Sequence, residues 1–346
     1  MASNKKPILI ATGSYGYLAA AMISSGYFQA GKLGRGQGDK GEPLLEDKPY
    51  PDGERYHRLL TDVEGRNVVL VGGTIDDRET MELFDLANTL VDHGAQELKL
   101  VVPYYGYSTM ERAIKDGEAV KAKYRARLLS AIPQAVTGNL IYLLDLHSEG
   151  IQHYFEGGLH ARHVYAKPVV IESVKAMLVR DAGATTPAQI KAALERPFVF
   201  ASTDAGRAKW VESLTSDMNK LGMAAQSAFI IKRRVSGSAS EVRDISADVD
   251  DALVIIYDDM IRTGGSLLKA AAAYRDKGAR SVSAIATHCL MPGATREKLA
   301  ASGLISHIAV TDSHPRALSL QNDFLSVHTI SNLLAEKVSK GRMQLA

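Results

Sequence analysis

Cysteine is nearly absent from this chain: among its 346 residues, Cys289 is the single one. An intrachain disulfide and a zinc site built from several cysteines are therefore excluded. Long apolar runs are missing as well, and none approaches the ~20 residues of a membrane-spanning helix. Near the N-terminus the apolar run is Pro7–Ala11, whereas a secretory signal peptide has a core of about 7–15 apolar residues. We expect a soluble, cytoplasmic protein without membrane attachment.

Charge of one sign is not in excess either, since 41 Lys and Arg residues oppose 39 Asp and Glu residues for a net charge of +2. Binders of bulk nucleic acid and of membrane surfaces are usually strongly basic, so no nucleic-acid partner is expected. A balanced total still allows a local site in which both signs are concentrated. At roughly 100–200 residues per domain, the length predicts about two domains.

Short apolar runs recur along the chain, with helical patterns between them. Typical runs are Val68–Val71, Val169–Ile171 and Leu253–Tyr257. They are continuously apolar rather than alternating, as in strands that are buried on both faces of a parallel sheet. The clearest helix is Glu79–His93, which has an apolar stripe. Strands that alternate with helices predict an α/β architecture.

The parts of the chain before and after about residue 165 share one layout. In each, an apolar strand is followed by a glycine-containing loop and a helix; the loops are Gly72–Thr74 and Thr263–Gly265. This similarity predicts an internal duplication. We expect a first domain over residues 1–165, a second over residues 166–326, and a separate C-terminal segment over residues 327–346.

The strongest chemical motif follows the strand Leu253–Tyr257. Two carboxylates, Asp258 and Asp259, end the strand, and a turn over Thr263–Ser266 leads into a helix. Glycines let the backbone approach a ligand closely, and a helix N-terminus favours an anion. The two acids are suited to hold ribose hydroxyls or hydrated Mg²⁺. The alternative is an ordinary strand-to-helix turn with Ser266 as N-cap, but the paired acids have no capping purpose.

Five further segments place aromatic, acidic or basic residues at turns or strand ends: Tyr50–Glu54, Pro103–Arg112, Asp145–His147, Ser202–Trp210 and Lys232–Arg234. Each alone has a structural alternative. In the same order, these are a plain turn, a packed aromatic loop, a structural histidine, an Asp-capped helix and a solvated charge run. The segments therefore argue for a function mainly through their combination.

Together with the Asp258–Ser266 loop, these segments stand in the order and spacing of the ribose-phosphate diphosphokinase family, which the chain resembles over nearly its whole length. The resemblance implies two doubly wound phosphoribosyltransferase-type α/β domains related by duplication, with residues 327–346 returning to the first domain. It also implies transfer of the diphosphoryl group of MgATP to the 1-hydroxyl of ribose 5-phosphate, giving phosphoribosyl diphosphate and AMP. A homo-oligomer is expected.

The resemblance also assigns roles to residues. Lys232 and Arg234 are implied as catalytic, and His147 and Asp204 as contacts of Mg²⁺, although Mg²⁺ prefers oxygen ligands. The residues implied to bind ATP are Tyr50, Asp52, Gly53, Glu54, Thr109, Met110 and Arg112. Those implied to bind ribose 5-phosphate are Asp258, Asp259, Arg262, Thr263, Gly264, Gly265 and Ser266. The implied pyrophosphate loop comprises Asp204, Ala205, Gly206 and Arg207.

Three positions depart from the common bacterial members of the family. Thr109 and Met110 stand where those enzymes have an Arg-Gln pair that touches ATP, and Arg262 stands where they have an aspartate. The pattern is nearer the divergent class best known from plants, although Asp145–His147 resembles the common class. Members of the divergent class tend to be independent of inorganic phosphate and to accept several nucleoside triphosphates.

Two other functions stay open. A phosphoribosyltransferase shares the loop that begins at Asp258, but it accounts for neither Tyr50–Glu54 nor Lys232–Arg234. A non-catalytic regulatory subunit of such a synthase is suggested by the three replacements. The retained Lys232, Arg234, His147 and Asp204 argue against that second alternative.

Overall fold

The computed structural model describes residues 5–29, 44–236 and 239–340, and for residues 232–236 and 239–244 it describes the backbone alone. The chain forms two compact units, a first unit of Met1–Tyr165 with Ile330–Ala346 and a second unit of Ala166–Thr329.

The strands are β1 (Ile8–Ala11), β2 (Leu45–Pro49), β3 (Arg55–Leu59), β4 (Asn67–Val71), β5 (Glu97–Val102), β6 (Asn139–Leu144), β7 (Leu159–Val164), β8 (Phe198–Ser202), β9 (Ala225–Ala228), β10 (Ile230–Ser236), β11 (Ala239–Ile245), β12 (Leu253–Ile261), β13 (Ser281–Cys289), β14 (Ile308–Thr311) and β15 (Leu325–His328). The α-helices are α1 (Gly16–Ile23), α2 (Asp77–Asp92), α3 (Lys121–Ser130), α4 (Lys167–Asp181), α5 (Pro187–Glu195), α6 (Ala208–Lys220), α7 (Gly265–Asp276), α8 (Thr295–Ala301), α9 (Arg316–Leu320) and α10 (Ser331–Lys340).

The first unit is built on a five-stranded parallel sheet in the order β1-β4-β5-β6-β7. Strand β1 also forms a single parallel bridge to Gln29 on its other edge. Helix α10 comes from the C-terminus and belongs to this unit, where Lys99 Nζ on β5 donates a hydrogen bond to the Val338 carbonyl at 3.2 Å. Helix α10 thus packs against the first sheet and against α1.

The second unit is built on a six-stranded parallel sheet in the order β9-β8-β12-β13-β14-β15. The chain runs from β8 to β9 on one side and later to β12 on the other. The strand order therefore reverses at β8, which makes the sheet doubly wound, and ligands of such sheets bind beyond the carboxyl ends of the strands at the reversal. Ser202 ends β8 at this point, and β12 carries Asp258 and Asp259 beside it.

The two units repeat one sequence of elements. In the first unit β1 lies between β4 and the bridge at Gln29, as β8 lies between β12 and β9 in the second. An antiparallel hairpin, β2–β3 or β10–β11, precedes the strand added next to the sheet. This repetition supports the duplication predicted from the glycine-containing loops.

One predicted strand is wrong. Val169–Ile171 lies in the first turns of α4, and Pro168 stands at the start of that helix, where its missing N–H costs nothing. The run is apolar because Val170, Ile171 and Val174 pack on one side of the helix. A short β-branched run fits a buried helix face as well as a buried strand. Among the helices that the structure describes, none is long and apolar enough to cross a membrane.

Candidate functional site

The acidic pair of the second unit lies inside β12 rather than after it. Asp258 pairs with Ala286 of β13 across the sheet, and Asp259 is 3% exposed. Thr203 Oγ1 donates a hydrogen bond to Asp258 Oδ2 at 3.3 Å. The two carboxylates are therefore held at the carboxyl ends of β8 and β12, where the strand order reverses.

Arg207 joins two motifs that lie far apart in the sequence. Its Nη2 lies 2.9 Å from Asp259 Oδ1, in an ion pair that is largely shielded from solvent. The predicted pyrophosphate loop and the predicted ribose-phosphate loop are thus in direct contact in the second unit. A buried pair of this kind needs both partners, because either charge alone would be strongly disfavoured.

The pKa of Asp258 is raised to about 7, chiefly because burial disfavours the charged carboxylate and also because the Asp259 carboxylate lies beside it, while Arg207 acts in the opposite direction. Two adjacent carboxylates in a low-dielectric site cannot both ionise easily. Near neutral pH Asp258 is therefore partly protonated, and its charge is sensitive to a nearby cation or hydroxyl donor.

The turn after β8 is capped by Asp204. Asp204 Oδ1 accepts a hydrogen bond from the Gly206 N–H at 2.9 Å, and the Ser202 hydroxyl donates to the Asp204 carbonyl at 2.6 Å. Ala205 and Gly206 are exposed. The alternative interpretation of this segment, an Asp-capped helix, is correct in part, because Asp204 does cap a helical turn. Arg207, however, is paired with Asp259 and is not solvated.

The loop from Arg262 to Ser266 exposes the N-terminus of α7. Gly264 is the N-cap with φ of 72°, and in the part of the chain that the structure describes no side chain caps this helix. Ser266 lies within the first turn of the helix, so the alternative of a Ser266 N-cap is wrong. Uncapped N–H groups at a helix N-terminus attract anions. Arg262, Thr263 and Ser266 are exposed around them.

Lys232 and Arg234 lie on β10 of an antiparallel hairpin, in register with Val242 and Ser240 of β11. Their side chains lie outside the described part of the structure. The hairpin pairing changes register between Ile231 and Lys232. The catalytic role of the two residues stays a prediction.

In the first unit, Tyr50–Glu54 forms the turn of the β2–β3 hairpin. The Tyr50 N–H donates to the Glu54 carbonyl at 2.7 Å, and Asp52 Oδ1 accepts from the Glu54 N–H at 3.0 Å. Gly53 has φ of 97°, a left-handed conformation that favours glycine. The turn is exposed, so its side chains are accessible to a ligand.

The segment after β5 is held by Tyr107, which has φ of 60°. Tyr107 Oη donates to Asp77 Oδ1 at 2.5 Å, and the Arg125 guanidinium pairs with the same carboxylate while lying 4.8 Å from the tyrosine ring centroid. Thr109 and Met110 lie on the 3₁₀ turn that follows, and Arg112 pairs with Glu111. Strained backbone held by several contacts is a frequent feature of binding sites.

His147 follows β6 at the carboxyl end of the first sheet. Two residues before it, Asp145 has φ of 36°, and its N–H donates to the Val164 carbonyl at 2.9 Å. The Leu146 N–H donates to His163 Nε2 at 3.0 Å. These bonds fix the chain where a ligand would approach the sheet.

A buried ionic cluster in the first unit was missed by the sequence analysis. Arg55 Nη2 lies 2.6 Å from Asp47 Oδ2, and Arg55 Nη1 lies 2.9 Å from Glu82 Oε2. The sequence contained one sign of this cluster: Glu82 is an acidic residue on the buried face of α2, next to Leu83 and Leu86. The pairing could not be read from the sequence, because it depends on the register of the β2–β3 hairpin.

Known proteins match both halves of the chain. A family model described as the N-terminal domain of ribose phosphate pyrophosphokinase matches residues 45–132, and one described as the phosphoribosyl synthetase-associated domain matches residues 229–343. The ribose-phosphate pyrophosphokinase of Parasynechococcus marenigrum is 30% identical over 294 residues, which cover 84% of this chain and 81% of the relative. That of Haemophilus ducreyi is 31% identical over 297 residues, covering 84% and 85%.

A solved structure matches the fold. The phosphoribosylpyrophosphate synthetase of Mycobacterium smegmatis superposes with a TM-score of 0.75 at 21% identity, covering 96% of this chain and 98% of that one. The predicted α/β fold with two phosphoribosyltransferase-type domains is thereby confirmed.

Proposed function

Since the chain belongs to the ribose-phosphate pyrophosphokinase family and is an enzyme of that kind, we propose that it transfers the diphosphoryl group of MgATP to the 1-hydroxyl of ribose 5-phosphate through the residues described above. The products are phosphoribosyl diphosphate and AMP. One observation carries the assignment to residues: the Arg207–Asp259 pair joins the pyrophosphate loop to an acidic pair beside an uncapped helix N-terminus.

Ribose 5-phosphate binds at the carboxyl end of β12. Asp258 and Asp259 accept hydrogen bonds from the ribose hydroxyls, as buried carboxylates with a partial negative charge would. The 5-phosphate binds at the N-terminus of α7, where the backbone N–H groups of Gly264 and Gly265 and the hydroxyls of Thr263 and Ser266 are suited to it. Arg262 adds a positive charge at the same loop.

The diphosphate is held by the turn Asp204–Arg207. Exposed backbone at Ala205 and Gly206 and the guanidinium of Arg207 suit a diphosphate, and Arg207 would leave or share Asp259 on binding. Mg²⁺, when bound, neutralises charge on the transferring phosphates. Asp204 fits such an ion because its carboxylate offers oxygen ligands at the head of an exposed turn, and His147 is the second proposed contact.

The nucleotide binds residues of the first unit: Tyr50, Asp52, Gly53, Glu54, Thr109, Met110 and Arg112. Support comes from the exposed hairpin turn and from the fixed backbone around Tyr107. Lys232 and Arg234 stabilise negative charge as the 1-hydroxyl attacks the β-phosphorus. Positioning and electrostatic stabilisation dominate phosphoryl transfer, so these groups act mainly by where they hold charge.

We also propose, on the basis of Thr109, Met110 and Arg262, that the chain belongs to the divergent, phosphate-independent class. Thr109 and Met110 lack the charge and the amide of an Arg-Gln pair, which favours looser selection of the nucleotide base. Activity without inorganic phosphate, with GTP and CTP as well as ATP, is the expected result. Strict phosphate dependence together with exclusive use of ATP would contradict this class.

The protein assembles as a homo-oligomer, as the family resemblance implies, and sedimentation velocity of the purified chain measures this.

A coupled assay of AMP release tests the reaction itself. AMP must appear only when ATP, Mg²⁺ and ribose 5-phosphate are all present. Consumption of phosphoribosyl diphosphate by a nucleobase without AMP release from ATP would identify a phosphoribosyltransferase instead.

A further inference from the structure

A guanidinium beside the Tyr50–Glu54 turn links the β2–β3 hairpin to the rest of the first unit. Arg55 is the first residue after the turn, and it pairs with Asp47 across the hairpin and with Glu82 on α2. The side chains of Asp47 and Glu82 are 3% and 2% exposed. Arg55 therefore connects the base of an exposed turn to a helix of the core.

The connection continues to the first loop of the sheet. Glu82 Oε1 accepts a hydrogen bond from the Gly13 N–H at 2.8 Å, while its other oxygen binds Arg55. Gly13 follows β1, the strand that lies between β4 and the bridge at Gln29. One carboxylate thus fixes the hairpin relative to the carboxyl end of β1.

A two-stranded hairpin is marginally stable by itself, so its position depends on its contacts with the core. Leu45 at the other end of the hairpin is buried in the core, whereas Tyr50 and the rest of the turn are exposed. Arg55 is the ionic contact nearest to the turn. Two further ion pairs of the hairpin, Glu46 with Lys48 and with Arg58, involve more exposed side chains.

Asp47, His57 and Glu82 also lie close enough together to suggest a metal site. Arg55 already donates to both carboxylates, however, and supplies the positive charge that a metal ion would bring. His57 Nε2 lies 3.5 Å from Asp47 Oδ1 on the same cluster. The arrangement is that of a charge-paired structural link.

We infer that Arg55 is a positioning residue for the nucleotide donor, acting through the placement of the Tyr50–Glu54 turn. The inference rests on the proposed role of that turn in binding ATP. Preorganised loops bind ligands more tightly because less conformational entropy is lost on binding. Releasing the hairpin from Glu82 therefore weakens ATP binding and leaves ribose 5-phosphate binding in the second unit unchanged.

The test compares Arg55→Met with Arg58→Met. Both remove an arginine from β3 that pairs with an acid of β2, but the Arg58 side chain is 60% exposed and the Arg55 side chain 13%. We expect Arg55→Met to raise KM for ATP by about tenfold or more with KM for ribose 5-phosphate within about twofold. Arg58→Met should behave as the wild type, and Arg55→Lys should recover part of the loss.

Because Arg55→Met leaves two buried carboxylates facing each other, the double variant Arg55→Met, Glu82→Gln is made as well. It removes the repulsion between the two carboxylates and recovers part of the stability, while KM for ATP stays raised if positioning is the cause. Amide hydrogen exchange over residues 50–54 gives a readout without turnover: exchange should be faster in both variants than in the wild type. A double variant with normal KM for ATP would overturn the inference.

The same measurements separate this inference from the function on which it rests. Wild-type enzyme whose Tyr50–Glu54 amides gain no protection from ATP would contradict the nucleotide role of the turn, and the inference with it. Active wild-type enzyme with ATP protection, combined with unchanged exchange and KM in Arg55→Met, would overturn the role of Arg55 alone.

Discussion

Arg207 Nη2 lies 2.9 Å from Asp259 Oδ1, so the turn after β8 and the acidic end of β12 are joined by one ion pair. In the proposed reaction both partners have ligands of their own, a diphosphate for Arg207 and ribose hydroxyls for Asp259. The pair therefore keeps the two groups in place until substrates bind.

Replacing Arg207 by methionine should impair both stability and binding. Asp259 would remain buried without its partner, which typically costs about 3–5 kcal/mol in the free energy of unfolding. Urea denaturation measures this loss. Lys220→Met is the control, because Lys220 is a solvent-exposed base on α6 that pairs with Asp217. Equal stability of the two variants would show that the Arg207–Asp259 pair contributes little.

The acidic pair should make stability depend on pH. The pKa of Asp258 is about 7 in the folded protein, above its ordinary value of 3.8, because burial and Asp259 disfavour the charge. The folded state then binds more protons than the unfolded state between these two values, so this group's contribution to stability falls as pH rises through that window. Asp258→Asn should gain stability relative to the wild type from pH 5 to pH 8, as measured by thermal unfolding. A constant difference between the two proteins would contradict the raised pKa.

The same titration should appear in substrate binding. Ionised Asp258 is the better acceptor for ribose hydroxyls, so KM for ribose 5-phosphate should fall as pH rises through about 7. The phosphate group of the substrate titrates nearby in pH, since its second pKa is about 6. Asp258→Asn separates the two effects. In this variant KM for ribose 5-phosphate keeps the pH dependence that is due to the phosphate and loses the pH dependence that is due to the Asp258 carboxyl.

Gly264 is required by two independent constraints. It has φ of 72°, and a Cβ added there would lie 2.7 Å from Cδ2 of Leu299, which is fully buried. Gly303 has φ of 64° with nothing within 4 Å of such a Cβ. Gly303→Ala is therefore a control that measures only the cost of placing alanine in a left-handed backbone conformation. We expect Gly303→Ala to cost about 1–2 kcal/mol in unfolding free energy, and Gly264→Ala to cost about 1–3 kcal/mol more.

Gly264→Ala should also raise KM for ribose 5-phosphate, because it displaces the N-terminus of α7, whereas Gly303→Ala should not. Steady-state kinetics of the two variants with ribose 5-phosphate varied check this difference. Equal KM values in the two folded variants would remove the loop Arg262–Ser266 from the binding site.

Lys232→Ala tests the catalytic assignment. Loss of a charge that stabilises the transferring group should lower kcat by roughly two orders of magnitude, about 3 kcal/mol in the barrier, with folding intact. Far-ultraviolet circular dichroism measures the folding of the variant, and quench-flow measurement of AMP release gives its kcat. A near-normal kcat would remove Lys232 from the catalytic role.

Trp210 offers a direct signal for ligand binding in the second unit. It is the one tryptophan of the chain, and its ring stacks on Tyr257 with centroids 3.8 Å apart, next to Asp258. Ribose 5-phosphate or pyrophosphate should change its fluorescence, and Asp258→Asn should shift the ribose 5-phosphate titration to higher concentration. Fluorescence insensitive to both ligands would place their binding elsewhere.

The fold was largely predictable because buried parallel strands leave a clear pattern. Val68–Val71 and Leu253–Tyr257 are continuously apolar, and both lie in the strands that the structure contains. Val169–Ile171 has the same composition in a helix, since burial rather than backbone type determines where valine and isoleucine occur. Strand β7 was missed because its residues alternate between buried and exposed and include His160 and Arg162.

The site could be predicted where its functional residues stand together in one segment of the sequence. It could not be predicted where the fold brings together residues from distant segments. Asp258 and Asp259 stand together in the sequence, so their importance could be inferred. The contact of Asp259 with Arg207 depends on the neighbouring positions of β8 and β12. Sequence spacing alone contains no information about such contacts, and the same holds for Arg55 with Glu82.

The most direct test of the proposed reaction follows the phosphorus atoms by ³¹P nuclear magnetic resonance during turnover of ATP, Mg²⁺ and ribose 5-phosphate. The account predicts that the β- and γ-phosphorus of ATP move together to the oxygen of the sugar's 1-hydroxyl, with AMP formed in equal amount. Formation of ADP with a singly phosphorylated C1, or of orthophosphate without AMP, would contradict it.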